Sequence, residues 1–289
     1  MVTPARTLAV VLGFLMSLII LRTLDAKQKN MSQCVIISGP TQLKGIAEAS
    51  GLTLSRKAPT LLWSHNDSGV PVVFGIDRSG VRSQVRIPKA TVTDWEDISA
   101  ARCPSGDCLY IADIGDNRRN RRNVTIYRVA EPRPDAPETS APDVFTAAYP
   151  DGPHDAEALF VTDEGLFIIT KDAAGILYRL PHPLNGSSMS TLQRVGTLGI
   201  QRVTDADASP DGRLVAVRTN DELVFYQAED LVSGQPQPRG DRISLRSLRE
   251  PQGEGVALGA DGEVYLSSEG TGRAGRLEGL RCTLPLKSR

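Results

Sequence analysis

His154-Asp155-Ala156-Glu157-Ala158-Leu159-Phe160-Val161, a turn at Asp163-Glu164-Gly165, and then Leu166-Phe167-Ile168-Ile169-Thr170 make one phrase. An acidic residue opens a short apolar run, a tight turn reverses it, and a second apolar run returns. Short apolar runs bounded by turn residues read as the two buried strands of a hairpin. Further copies start at Glu48, Glu96, Asp207 and Glu254, in steps of 48, 61, 50 and 47 residues. A period of that size, built of strands rather than helices, predicts a β-propeller or another repeat array.

Working outward from this phrase, each of the first four copies is followed by three more strand-like runs. The long second step is explained by a Pro-rich excursion from Glu131 to Pro142. The last strand of the fourth blade is expected at Arg242 to Leu248. The fifth blade shows three runs, Gly255–Leu258, Val264–Ser267 and Gly275–Leu280. An open seam would leave an unpaired strand edge. The run at residues 33–38 is therefore expected to join the last blade and close the ring. The expected class is all-β, a five-bladed β-propeller with six blades as the alternative, in a single domain over residues 33–289.

The formal net charge of −1 indicates no general attraction to nucleic acid. Leu8 to Leu21 is an uncharged run of fourteen residues. That is short for a membrane span, which needs about 20 residues, and suits the apolar core of a signal peptide. Residues 1–26 are read as a signal peptide or an uncleaved signal anchor, so contact with a membrane is expected only through this segment, and only where it stays uncleaved. Secretion, to the periplasm or the extracellular space, follows from it. Four cysteines agree with an oxidising compartment. Cys103 and Cys108 bracket a turn, Pro-Ser-Gly-Asp, and the closing strand would bring Cys34 beside Cys282. The pairings expected are 34–282 and 103–108.

In a propeller the start of each innermost strand and the loop between second and third strands fall on one face. Glu48, Glu96, Glu157, Asp207 and Glu254 are therefore expected in a ring at the channel mouth. Asn66 and Asn117 would lie on the loops beside them. Like charges raise one another's pKa, so such a ring needs a cation, protons or basic neighbours. Oxygen donors without a Cys or His cluster favour Ca²⁺. Lys171, Arg218 and backbone amides are the alternative neutralisers. Arg118, Arg119, Arg121 and Arg122 form a basic loop on the same face, suited to an anionic group or simply solvated. His65, His154, Asp113 and Asp116 are the candidate general bases. No Gly-x-Ser-x-Gly elbow occurs.

The phrase Asp155-Ala-Glu157-Ala-Leu-Phe-Val-Thr-Asp-Glu-Gly-Leu-Phe-Ile-Ile resembles the repeat of β-propeller phytases and phytase-like esterases. Leu62-Trp-Ser-His-Asn-Asp-Ser-Gly69, Asp94-Trp-Glu-Asp-Ile98 and Asp113-Ile-Gly-Asp-Asn117 resemble signature phrases of exported bacterial propellers of unassigned activity. Gluconolactonase-type propellers are similar in residue type, with Glu157, Asn66, Asn117 and Asp207 in the corresponding parts. These resemblances imply Ca²⁺ at the channel mouth and attack on a phosphoester, ester or lactone. Two functions follow as expectations: a Ca²⁺-dependent hydrolase of a small anionic ester or lactone, and a non-catalytic exported propeller for a protein or glycan partner.

Overall fold

The computed structural model describes residues 33–270, 272 and 274–284. The expected leader, residues 1–26, lies outside them. Five antiparallel sheets stand around one axis, each led by an inner strand. The chain begins with β1 (Cys34–Lys44) and enters blade I: β2 (Ala49–Leu54), β3 (Leu62–Asn66), β4 (Val72–Asp77) and β5 (Gly80–Arg86). Blade II follows with β6 (Trp95–Cys103), β7 (Gly106–Asp113), β8 (Val124–Ala130) and β9 (Asp143–Ala148). Blade III is β10 (Ala156–Thr162), β11 (Gly165–Thr170), β12 (Ile176–Leu180) and, after the short β13 (Ser190–Thr191), β14 (Gln193–Thr197). β13 leaves its own blade to add a parallel fifth strand beside β9. Blade IV is β15 (Val203–Ala208), β16 (Leu214–Thr219), β17 (Glu222–Gln227) and β18 (Pro238–Ser244), with helix α1 (Ala228–Val232) between the last two. Blade V is β19 (Gln252–Leu258), β20 (Glu263–Glu269) and β21 (Ala274–Cys282), and β1 completes it.

The ring closes as expected, and farther along than expected. β1 pairs with β21 from Cys34 opposite Cys282 to Lys44 opposite Ala274. Both expected disulfides, Cys34–Cys282 and Cys103–Cys108, are formed. Two disulfides fit a protein that matures outside the reducing cytoplasm. Among the described residues no helix is long and apolar enough to cross a membrane.

One strand is displaced from its expected place. The outer strand of blade IV is Pro238–Ser244, and Arg246–Leu248 form a 3-10 turn instead. Leu245 and Leu248 are buried beside that turn, so their apolar character marks the blade's edge packing rather than a strand. The core is five wedges, one between each pair of neighbouring blades. Trp63 and Trp95 fill the wedge between blades I and II, and Phe160, Phe167 and Tyr226 that between III and IV. Leu52, Leu62 and Leu277 lock blade V to blade I. Sheet faces that alternate apolar residues on both sides can be buried only this way, by packing blade on blade.

Candidate functional site

Every inner strand carries a bulge at the same height, which fixes the true correspondence between blades. The bulges fall at Glu96 in β6, Glu157 in β10 and Thr204 in β15, within Ser50–Gly51 in β2 and within Glu254–Gly255 in β19. Ser50 donates its hydroxyl to the Glu96 carbonyl at 2.6 Å, and Thr204 donates to the Glu254 carbonyl at 2.8 Å. The shared bulge position, with these two matching contacts to the next blade, makes Ser50, Glu96, Glu157, Thr204 and Glu254 the ring at the mouth. Two expected members move. Asp207 lies three residues deeper in β15 and faces the opposite mouth. Glu48 stands two residues above the ring, exposed, level in sequence with Asp94 and Asp155.

Around the mouth the carboxylates form a collar. Glu96, Glu157 and Glu254 are buried, while Asp67, Asp94 and Glu269 are half-buried. Lys171, at the end of β11, reaches in to pair with Glu157 Oε1. Burial raises the Glu157 carboxyl to about 8, with Glu254 and Asp155 pushing further against the pull of Lys171. Burial also raises Asp67 to about 7, helped by a hydrogen bond and charge from Glu48 and by Glu269 and Asp94. Glu96 and Glu254 are raised first by burial. Glu157 Oε2 and Asp67 Oδ1 are buried without a hydrogen-bond partner. The collar thus holds more negative charge and more acceptors than its own residues satisfy.

Below the mouth the acids serve another purpose. An inner strand presents one edge to the channel, and its amides there have no sheet partner. Asp97 Oδ2 accepts from Leu159 N at 2.5 Å, and Asp205 Oδ2 accepts from Leu52 N at 3.1 Å and Val256 N at 2.6 Å. Asp207 Oδ2 accepts from Leu258 N at 2.9 Å. Each carboxyl therefore ties its own blade to the next one or across the channel. Nothing in the sequence distinguishes these from the collar acids except their place in the strand register.

The candidate bases are placed as follows. His65 is the fourth residue of β3, fully buried, edge-on to Trp95. Burial lowers its pKa to about 4, so it is a neutral core residue. Asp113 accepts from Thr93 N and Asp94 N and pairs with Arg121 at 2.8 Å. Asp116 Oδ2 accepts from Arg121 N, and its own amide donates to Asp155 Oδ1. These two acids and Arg121 fold the loop after β7 against the collar. His154 lies between Asp172 (Nδ1, 3.3 Å) and Asp151 (Nε2, 3.2 Å), against Tyr149 and Tyr178.

Asn66 Oδ1 is taken by Glu48 N at 3.1 Å, while Asn117 is exposed. Arg118, Arg119 and Arg122 are exposed on the same loop. Among the described residues no group of three or more His, Cys, Asp and Glu side chains is gathered as a metal site. Of the Ca²⁺ ligands expected from sequence, Asp207 lies at the opposite mouth, Asn66 Oδ1 accepts from Glu48 N, and Glu157 pairs with Lys171. Lys171 is the member sequence reasoning undervalued, although its position just after Ile169-Thr170 placed it on the right face.

No protein-family model matches the chain, and no curated protein matches it. Solved structures with a similar fold include the PQQ-bound aldose sugar dehydrogenase from Streptomyces coelicolor, at 12% identity over 87% of this chain and 99% of that one, TM-score 0.52. The soluble aldose sugar dehydrogenase from Escherichia coli gives 11% identity over 88% and 99%, TM-score 0.50. A gluconolactonase from Xanthomonas campestris gives 9% identity over 87% and 95%, TM-score 0.48. At such identities the likeness is one of propeller fold, and the chemistry has to come from the site itself.

Proposed function

We propose that the protein is an exported, non-catalytic propeller whose carboxylate collar binds a positively charged segment of a protein partner. The observation that carries this reading is Glu157 Oε2, a carboxylate oxygen buried and without a partner in a collar of like charges. A Lys or Arg side chain entering the mouth would supply both the missing donor and the missing charge. A neutral glycan would supply the donor alone. Acid–base catalysis has little support, because His65 is sealed in the core, Asp113 and Asp116 are spent on the loop, and both ring nitrogens of His154 are engaged by Asp172 and Asp151. Ca²⁺ would compete for the same carboxylates and would have to displace Lys171. Export rests on the disulfides together with the apolar run at residues 8–21.

Fluorescence anisotropy with a labelled Lys/Arg-rich decapeptide tests the proposal. Binding is expected to be saturable and to weaken about tenfold or more between 50 and 300 mM salt, as screening removes the charge term. Binding indifferent to salt, or equal binding of a neutral oligosaccharide, would remove the electrostatic reading.

A further inference from the structure

The mouth opposite the collar opens into a pocket of about 360 Å³, at the lower end of the usual ~300–1,000 Å³ for small-molecule sites. It is formed where β2, β15 and β19 end. Leu54, Pro59 and Leu258 give it apolar walls, and Thr53 and Asp207 line it as well. Asp207 is 3% exposed and Thr53 2%. Asp207 Oδ1 accepts from the Thr53 hydroxyl at 3.2 Å and Oδ2 from Leu258 N at 2.9 Å. Each carboxylate oxygen keeps a second lone pair. Among the described residues Asp207 has no ion pair. Arg56, the basic residue of the lining, has its Nε held by Asp107 Oδ1 at 2.9 Å.

We propose that this pocket binds a small molecule with an apolar body and a single amine, its ammonium paired with Asp207. Burial holds the Asp207 carboxyl well above the ordinary carboxylate range, and an ammonium brought in by the ligand supplies the counter-charge that favours its ionised form where water cannot screen it. The hydrocarbon body is buried against Leu54, Pro59 and Leu258. A carboxylate ligand would bring a second acid to the site and no counter-charge, and an alcohol would gain a hydrogen bond without the charge. The site is independent of the collar, which lies at the other end of the channel.

Calorimetry on the full chain with cyclohexylmethylamine, cyclohexylmethanol and cyclohexanecarboxylate tests it. The amine should bind at least about tenfold tighter than the alcohol, and the carboxylate should not bind. Asp207→Asn keeps an acceptor for Leu258 N and should bring amine and alcohol to similar affinity. Ala260→Trp, at the exposed rim of the pocket, should block both ligands while leaving the fold intact, so it decides the matter even where the Asn variant is unstable. Equal binding of amine and alcohol to the unaltered protein, binding undiminished by Ala260→Trp, or no saturable amine binding at millimolar concentration would each overturn the proposal.

Discussion

Asp205 holds two amides from two different strands on one oxygen, while its other oxygen, in the channel beside Asp97, is left without a partner. Burial raises its pKa to about 7, against the pull of Asp97 and the two amides, and burial and Asp205 raise Asp97 well above the ordinary carboxylate range. In the unfolded chain an Asp titrates near 3.9. The folded state therefore keeps a proton that the unfolded state gives up. The stability linked to this proton is full below about pH 4 and is lost as pH rises through about 7. Asp205→Asn removes the titration, so urea unfolding at pH 4.5 and 7.5 should show the unaltered protein losing about 3 kcal/mol more over this range than the variant does. A second prediction concerns Lys171, which competes with a cationic ligand for Glu157. Lys171→Met should tighten decapeptide binding roughly three- to tenfold in anisotropy; weaker binding would mean that Lys171 contacts the partner. That acids crowd the channel was legible in the sequence. Which acids face the mouth was not, because Ser50 and Thr204 occupy ring positions that Glu fills elsewhere, and the repeated Asp of Thr204-Asp205-Ala206-Asp207 offers two equally good alignments.

Inner strands approach one another closely at the axis, and glycine permits it. A Cβ on Gly51 would lie 2.5 Å from both the Asp97 Cα and the Ile98 N of β6, a backbone collision that no side-chain rotation relieves. Gly51→Ala is expected to force β2 away from β6 and cost about 1–3 kcal/mol or more, read as a lower urea midpoint with an unchanged slope. Strand runs and turns were readable because period-2 patterning and residues such as Ser209-Pro210-Asp211-Gly212 punctuate them. Helix α1 was not, since five residues are too few for a helical period to declare itself. The outer strand of blade IV was misplaced because Pro238-Arg-Gly-Asp-Arg242 is polar: an edge strand facing solvent needs little apolar surface.

At the scale of the molecule, a ring is only as stable as its seam. β1 and β21 close it, and the Cys34–Cys282 bond joins residues 248 apart in sequence, whereas Cys103–Cys108 spans five. Loop-closure entropy predicts a loss of about 5 kcal/mol on removing the first bond and about 2 kcal/mol on removing the second. Guanidinium midpoints of Cys34→Ala/Cys282→Ala and Cys103→Ala/Cys108→Ala proteins compare the two directly. The closure and its disulfide followed from counting strands in blade V, a legible long-range feature because an unpaired edge has so few remedies. The collar is the functional counterpart of this closed ring, as blades I, II, III and V all contribute carboxylates to one mouth. Calorimetric titration of the Lys/Arg-rich decapeptide, with Ca²⁺ as a parallel arm, into the unaltered protein and a Glu157→Gln/Glu254→Gln variant tests that account most directly. Saturable peptide binding that falls about tenfold or more in the variant, with no saturable heat from Ca²⁺, is the predicted result. Saturable Ca²⁺ binding abolished by the variant, with the peptide inert, would contradict it and make the collar a metal site.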